Sequence, residues 1–335
     1  MTSMGNFRDA VGEAMIALGE RDSRVVIVSA DVMASCRVKR FAERFPERAF
    51  NVGIAEQEMI SFAAGLAREG AIVYAFAMGP FLSMRACEQI RNDVAYDGLP
   101  IRMVGTYAGF SGGISGATHW AMEDCAIMRG IPGIKVWEPS DCRQLQQMID
   151  CSADMPDPIY MRLSIMQARE LHGAEYRLDP FVADVIREGD DGAFLCAGIC
   201  VQYALEASEQ IQEETGMEIM VLDMHTVKPI DRDAIRKAAA TGNIVVAQDH
   251  NIVGGLGDAV ASVLAESRLT VNFRVLGIPD CFVPAAHAPW LYHEHQFDAD
   301  GLKNAMECVL SPDRGGVKRG IERLYRHNLR KEVAA

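Results

Sequence analysis

The sequence predicts an α/β fold made of two doubly wound domains. Short apolar runs that suit buried parallel strands alternate with segments whose apolar residues recur at helical spacing. The alternation occurs in residues 1–165 and again in residues 188–310, as in parallel sheets that are covered by helices on both faces. Residues 166–187 lack clear periodicity and are predicted to form a linker. Residues 311–335 form a basic C-terminal tail, which we expect to be a solvated or partner-facing helix.

The elements of the first domain follow from local signals. Residues 24–30 contain consecutive valines and an isoleucine, as a buried strand requires. The helix predicted over residues 56–68 is stopped by Gly70. Residues 109–116 are predicted to be a glycine-rich loop. The other predicted elements are helices at 7–18 and 81–95, a helix start at 139–140, and strands at 72–77, 101–106, 134–137 and 159–163.

The second domain repeats the same alternation after the predicted linker. Its strands are predicted from short β-branched or apolar runs, and its helices from apolar residues three and four apart. The predicted strands are 193–197, 219–223, 244–248 and 272–276, and the predicted helices are 203–213, 231–240, 257–266 and 298–310.

Composition excludes several classes of protein. The 335 residues include 49% hydrophobic and 24% charged residues, which is a globular composition. The net charge of −13 argues against a broad nucleic-acid-binding surface. No apolar run reaches the roughly 20 residues that a membrane span needs. Nine scattered cysteines without a Cys-x-x-Cys pair indicate a reduced, cytoplasmic protein.

Several short segments together resemble the transketolase family in their order and spacing. In the first domain they are RDA at 8–10, SAD at 29–31, GIAEQ at 53–57, PFL at 80–82, GATH at 116–119 and EPSD at 138–141. In the second domain they are DMHTVKPID at 223–231 and DHNIVGGLG at 249–257. The resemblance covers roughly residues 6–310. It implies a thiamine diphosphate pyrimidine-binding domain followed by a transketolase C-terminal domain.

One half of the family's cofactor site has no match in this chain. The family holds the diphosphate and its divalent metal with a Gly-Asp-Gly motif followed by an asparagine, and residues 189–192 lack that arrangement. The resemblance therefore implies that thiamine diphosphate and Mg²⁺ are held mainly by a separate partner subunit, in an α2β2 heterotetramer. No metal ligand is predicted in this chain, because His293 and His295 form a His-x-His pair without an evident third ligand.

The resemblance assigns the catalytic and cofactor-binding roles. Glu56 matches the acid that activates the pyrimidine ring, although an acid in the first turn of a helix is also favourable against the helix dipole alone. His119 matches a histidine that contacts sugar hydroxyls and helps to move protons. Phe81 and Met84 match positions that hold the pyrimidine, and their spacing of three predicts that they share a helix face.

The family's substrate contacts are only partly retained. Arg8 and Ser35 match residues that contact the phosphate of the acceptor. Three positions differ from the family's usual residues: Tyr107 replaces histidine, Ser115 replaces an aspartate that contacts the donor, and Ile165 replaces arginine. Loss of that guanidinium removes a bidentate phosphate clamp, for which Arg162 is a candidate substitute. We therefore expect an acceptor other than an ordinary pentose phosphate.

Three functions are compatible with this resemblance. The first is a transketolase subunit that transfers a two-carbon ketol unit from a ketose donor to an aldehyde acceptor; segments 116–119 and 139–141 favour it. The second is the β subunit of a 2-oxo acid dehydrogenase-like complex that passes its fragment to a carrier protein, and segment 81–89 leans towards it. The third is a non-catalytic scaffolding subunit, against which the retention of Glu56 and His119 argues.

Overall fold

The computed structural model describes residues 4–311, so the predicted basic tail lies outside the described residues except for Ser311. The strands are β1 (Met4–Asn6), β2 (Val25–Ser29), β3 (Ala49–Asn51), β4 (Ile72–Met78), β5 (Arg102–Thr106), β6 (Lys135–Trp137), β7 (Ile159–Leu163), β8 (Gln167–Arg169), β9 (Asp184–Arg187), β10 (Gly192–Cys196), β11 (Ile219–Asp223), β12 (Thr226–Lys228), β13 (Asn243–Asn251) and β14 (Asn272–Ile278). The α-helices are α1 (Phe7–Arg21), α2 (Lys39–Arg44), α3 (Glu56–Arg68), α4 (Cys87–Gln89), α5 (Asp124–Gly130), α6 (Cys142–Ser152), α7 (Cys200–Thr215), α8 (Arg232–Ala239), α9 (Leu256–Glu266), α10 (Ala288–Glu294) and α11 (Ala299–Leu310).

The first domain is built on a seven-stranded sheet with the order β12-β6-β7-β5-β4-β2-β3. Its strands are parallel except for β12, which pairs antiparallel with β6 and comes from the second half of the chain. The second domain has the order β14-β13-β10-β11-β9, with only β9 antiparallel. The structure thus confirms the predicted α/β class with two doubly wound domains.

The predicted linker contains ordered strands. Within residues 166–187, β8 pairs antiparallel with β1, and β9 forms an outer strand of the second sheet. The periodicity of the sequence gave no sign of these strands because each has only three or four residues. The segment therefore ties the two domains together instead of running freely between them.

Both faces of each sheet are buried. Along β4, Tyr74 and Phe76 belong to one apolar core, whereas Val73 and Ala75 belong to the core on the other face. This alternation follows from the two-residue period of a strand. Continuous apolar strands of this kind are typical of parallel sheets. No helix within residues 4–311 is both long and apolar enough to cross a membrane.

The helix predicted over residues 81–95 is present but unusual. It begins with a π-helical turn at Phe81–Arg85, continues through α4, and returns to π-helical geometry at Ile90–Ala95. Such turns, whose hydrogen bonds run from residue i to i+5, are rare and are often found at functional sites.

The order of the first sheet predicts where a ligand binds. After β2 the chain adds β3 on one side of it and then crosses over to add β4 on the other side. The direction in which strands are added therefore reverses at β2. In open α/β sheets, ligands bind beyond the carboxyl ends of the strands at such a switch point. The segments after β3, β4 and β5 contain Glu56, Phe81 and Tyr107, respectively.

Candidate active site

A short turn connects β3 to α3, and Glu56 is the first residue of α3. Gly53, with a φ of 77°, provides the left-handed residue of this turn. The side-chain oxygen of Asn51 accepts hydrogen bonds of 3.0 Å from the backbone N–H groups of Gly53 and Asp31, which fixes the ends of β3 and β2 against each other. Glu56 is then only 2% exposed, although it is a charged residue at a helix terminus.

A chain of three contacts links the Glu56 carboxylate to Arg85, Phe81 and His119. The guanidinium of Arg85 donates to Glu56 Oε2 at 2.6 Å, and the same guanidinium lies 4.6 Å from the centre of the Phe81 ring. The imidazole of His119 approaches Phe81 edge-on, with 5.4 Å between ring centres. The structure therefore brings together Glu56, Phe81 and His119, which come from three separate segments of the chain.

Arg85 is a member of this cluster that the sequence analysis missed. A pairing between residues 29 apart leaves no periodic signal, and the only available hint was an arginine four residues after Phe81. Arg85 and Phe81 are four residues apart on one helical turn, and this spacing allows their side chains to meet. Met84 lies on the same turn but is 51% exposed, whereas Phe81 is half-buried. The predicted shared face of Phe81 and Met84 assumed an ordinary α-helix, whereas the turn is π-helical, and a pyrimidine-binding role for Met84 stays a prediction.

The glycine-rich segment predicted at 109–116 forms a 3₁₀ turn at Gly109–Ser115, followed by a second short turn that contains His119. Ser115 is exposed at the end of the first turn. Gly113 and Gly116 have positive φ angles of 49° and 78°, which favour glycine at these positions. The chain can thereby reverse twice within a few residues and bring His119 back towards Phe81.

The predicted phosphate contacts Arg8 and Ser35 both lie near Cys36. Arg8 is in the first turn of α1, and its Nε is buried without a hydrogen-bond partner. Burial raises the pKa of the Cys36 thiol to about 11, and Arg8 is among the nearby groups that oppose this effect. Ser35 precedes Cys36 and donates to the carbonyl of Val32 at 3.1 Å. A substrate role for either residue stays a prediction.

Tyr107 occupies a strained position directly after β5. Its φ of 65° is unusual for a bulky side chain, and its side chain is half-buried. Strained residues of this kind are often found at ligand-binding sites. Its backbone carbonyl accepts from the N–H of Ala121, which anchors the segment that follows the glycine-rich turn.

Arg162 is not positioned to bind a substrate, so the prediction for this residue is corrected. Its side chain is fully buried in β7. Its Nε donates to both carboxylate oxygens of Asp124 at 3.0 Å, its Nη1 donates to Glu138 at 2.6 Å, and its Nη2 donates to the carbonyl of Ala121 at 2.7 Å. The sequence shows a charge at this position, but it does not show that neighbouring carboxylates neutralise that charge.

A second buried acid connects the glycine-rich turn to the second domain. Asp249, in β13, accepts at 2.9 Å from the backbone N–H of Phe110 and at 2.6 Å from the hydroxyl of Tyr292. Its backbone carbonyl also accepts from Arg162. Burial raises the pKa of Asp249 from 3.8 to about 7. The loop that contains Ser115 and leads to His119 therefore rests on a carboxyl group of the other domain.

This pKa predicts how stability depends on pH. Because the folded protein binds a proton at Asp249 more tightly than the unfolded chain does, the contribution of Asp249 is fully present below pH 3.8 and is lost as the pH rises to about 7. Asp249→Asn should keep an oxygen that accepts from the Phe110 N–H and place an NH₂ group that donates to the Tyr292 hydroxyl, and it should abolish this pH dependence. Asp249 should lower the free energy of unfolding by at most about 1.4 kcal/mol per pH unit over this range. Thermal unfolding between pH 4.5 and 7.5 would measure it, with the exposed Asp190→Asn as the control. An unchanged pH slope in Asp249→Asn would contradict the assignment.

The chemistry of the cluster is that of a proton-handling group beside an aromatic surface. A buried carboxylate can accept, hold or donate a proton, and Phe81 offers a ring face against which a planar heterocycle can pack. Within residues 4–311, two groups of His and Asp side chains have the spacing to hold a metal ion, and neither includes Glu56, Phe81 or His119.

Comparison with known proteins agrees with these domains. Residues 4–169 match the pyrimidine binding domain of transketolase, and residues 182–302 match the transketolase C-terminal domain. The chain is 40% identical to a 6-deoxy-6-sulfo-D-fructose transketolase subunit of Clostridium sp. (strain MSTE9), over 82% of this chain and 85% of that relative. It is 32% identical to an apulose-4-phosphate transketolase subunit of Phocaeicola vulgatus, over 90% of this chain and 97% of that relative.

A solved structure extends the comparison. The fold superposes with a TM-score of 0.83 on a structure described as a split gene transketolase, inactive beta4 tetramer. The two chains are 34% identical, and the match covers 92% of this chain and 99% of the other. These relatives favour the transketolase interpretation over a 2-oxo acid dehydrogenase component. The chain belongs to the transketolase family and carries the pyrimidine-binding and C-terminal domains of a split transketolase.

Proposed function

We propose that this chain is a subunit of a thiamine diphosphate-dependent enzyme that transfers a two-carbon ketol unit from a ketose donor to an aldehyde acceptor. The observation that carries the proposal is the Glu56 carboxylate, which is 2% exposed, follows the carboxyl end of β3 and is linked through Arg85 to the Phe81 ring. A buried acid that contacts one cation near an aromatic ring suits a heterocycle that must exchange a proton.

The residues present fit the pyrimidine part of the cofactor. Phe81 offers a half-buried ring for packing, and Glu56 offers a carboxyl oxygen for a ring nitrogen. Bound thiamine diphosphate supplies the carbanion chemistry. Glu56 holds the proton shared with the pyrimidine, Arg85 holds the carboxyl group in place, and His119 hydrogen-bonds sugar hydroxyls and moves protons at the substrate.

The diphosphate and Mg²⁺ are assigned to a partner subunit in an α2β2 assembly. Exposed apolar side chains near proposed site residues in sequence support an interface here: Ile54 is 74% exposed, Met84 51% and Ile114 71%. Large apolar side chains grouped on a surface are typical of interaction sites. Each of them is a near neighbour in sequence of a proposed site residue, so a partner docked there would close the site.

The acceptor is proposed to differ from an ordinary pentose phosphate. Arg162 is buried in an ion-pair network, so it does not replace the arginine that the family usually has at the position of Ile165. On the donor side, Ser115 offers a neutral hydroxyl in place of a carboxylate. The names of the two relatives, which refer to 6-deoxy-6-sulfo-D-fructose and apulose-4-phosphate, are consistent with substrate variation within this group of proteins.

Reconstitution with the partner subunit tests the proposal. The two chains are co-expressed, loaded with thiamine diphosphate and Mg²⁺, and supplied with one ketose donor and either ribose 5-phosphate or an unphosphorylated aldehyde such as glyceraldehyde. We expect ketol transfer only with both chains present, and a higher kcat/KM for an acceptor other than ribose 5-phosphate. Preference for ribose 5-phosphate would refute the acceptor assignment, and absence of transfer with every donor and acceptor would refute the reaction.

A further inference from the structure

A compact group of polar side chains lies where the two domains meet the segment between them. His172 belongs to this segment, Asp184 begins β9, Asp223 ends β11, and Asp141 caps α6 of the first domain. One potential ligand atom from each of His172, Asp184 and Asp223 lies within 4.8 Å of the others. This cluster contains none of the proposed active-site residues.

His172 is oriented as a metal-binding histidine would be. Its side chain is 5% exposed, and its Nδ1 lies 2.9 Å from Asp141 Oδ2. The backbone N–H groups of Leu171 and His172 donate to the same oxygen at 2.8 Å, so this carboxylate is held rigidly. A carboxylate on Nδ1 fixes the ring and leaves Nε2 facing the site, as is usual for imidazoles that coordinate metals.

The Nε2 atom of His172 is buried and makes no hydrogen bond. It lies at ion-pair distance, 3.2 Å, from Asp184 Oδ2, an oxygen that accepts from the hydroxyl of Tyr176 at 2.6 Å and from Gln144 Nε2 at 2.9 Å. This separation suits two ligands of one ion, since ligand atoms about 2.1 Å from a metal lie roughly 3 Å apart. Asp184 is 21% exposed in its side chain, which provides access from solvent.

Asp223 contributes a second unpartnered atom. The residue is fully buried, and its Oδ2 accepts from Ser140 Oγ at 2.6 Å and from Gln144 Nε2 at 2.8 Å. Its Oδ1 has no hydrogen-bond partner. A buried carboxylate oxygen without a partner is costly, and a bound ion is one of the few explanations for it.

The charges also favour a cation at this position. Three carboxyl groups, those of Asp141, Asp184 and Asp223, surround the imidazole of His172, and the imidazole of His225 lies 3.7 Å from Asp184. A proton on His172 Nε2, which lies 3.2 Å from Asp184 Oδ2, is the alternative occupant of the site.

The geometry points to a divalent transition-metal site formed by His172 Nε2, Asp184 and Asp223, with Asp141 orienting the histidine. One nitrogen and two carboxylate ligands suit Zn²⁺ or Mn²⁺ better than Mg²⁺, which prefers oxygen ligands. The ion would join the two domains through the segment between them. By contrast, the exposed group of His293, Asp298 and Asp300 has no comparable buried unpartnered atom.

Metal titration of the full chain tests this site without thiamine diphosphate. The purified protein is stripped with a chelator and then titrated with Zn²⁺, Mn²⁺ or Mg²⁺ in a calorimeter, and metal content is measured after dialysis. We expect about one Zn²⁺ or Mn²⁺ per chain, release of protons on binding and a higher Tm with metal than with chelator. No stoichiometric metal and equal Tm values with metal and chelator would overturn the proposal, and would leave the proton as the occupant.

Three substitutions test which side chains bind the metal. Asp223→Asn retains an oxygen acceptor for Ser140 and Gln144, so it should fold, yet it should lose the bound metal. Asp141→Asn should weaken binding by roughly 10–100-fold, as expected for a residue that orients a ligand. His293→Gln, at the exposed group, should bind metal like the wild type. Undiminished binding in Asp223→Asn, or its loss in His293→Gln, would place the metal elsewhere and overturn the assignment.

Discussion

Replacing Glu56 by Gln is expected to lower the turnover of the reconstituted enzyme by roughly 10²–10⁴-fold, the range associated with loss of a positioned acid–base group. The amide has nearly the same shape and keeps an oxygen that can accept from Arg85. It cannot exchange a proton with a pyrimidine nitrogen. Steady-state kinetics with saturating thiamine diphosphate would measure the loss in kcat.

The neighbouring Glu58 provides a matched control. It lies in the first turn of the same helix but is exposed. Glu58→Gln should therefore retain turnover, although it changes the helix-dipole interaction in the same way. Size-exclusion chromatography should show that both variants assemble with the partner subunit. If Glu56→Gln kept turnover within about threefold of the wild type, the carboxylate would have no part in proton transfer.

Replacing Arg162 by Met should destabilise the folded chain by about 3–5 kcal/mol, the usual cost of removing one partner of a buried ion-pair network. Asp124 is 1% exposed and Glu138 is 3% exposed, so both carboxyl groups would lose their buried cation. The backbone carbonyls of Ala121 and Asp249 would lose a donor as well. Urea unfolding followed by circular dichroism would measure the change.

A surface ion pair serves as the comparison. Arg236 pairs with Asp233 at 2.6 Å, but their side chains are 48% and 91% exposed. Arg236→Met should therefore change the free energy of unfolding by less than about 1 kcal/mol. In the folded fraction of Arg162→Met, the KM for the aldehyde should stay close to that of the wild type. If Arg162→Met had normal stability and a raised KM for the aldehyde, Arg162 would be a substrate-binding residue after all.

The sequence predicts the central elements of the fold well because their signals are local. The strand predicted over residues 219–223 forms β11 with the same bounds. A short, continuous apolar run is typical of a strand that is buried on both faces of a parallel sheet. β3 overlaps the extended stretch that the sequence predicts before Glu56, whereas the three-residue strands β1, β8 and β12 are not predicted. Their backbone partners lie elsewhere in the chain, so tertiary pairing defines them and local propensity does not.

The candidate site likewise contains residues that local sequence signals identify and residues that depend on distant partners. Glu56 can be identified from its place between a strand and a helix, because parallel strands send the segments that follow them to one side of the sheet. Arg85 and the buried state of Arg162 cannot be identified, because each depends on partners that are distant in sequence. His172 falls in a predicted linker without periodicity, yet it makes close contacts with Asp141 in the first domain.

The pairing of β12 with β6 limits how this protein can be dissected. Residues 226–228 follow the first strands of the second domain, yet they complete the sheet of the first domain. A fragment that stopped at residue 170 would leave the backbone N–H and C=O groups along the open side of β6 unpaired. Such a row invites association with another copy and aggregation. The shortest piece that could satisfy this sheet extends past Lys228, so the chain behaves as one interlocked folding unit.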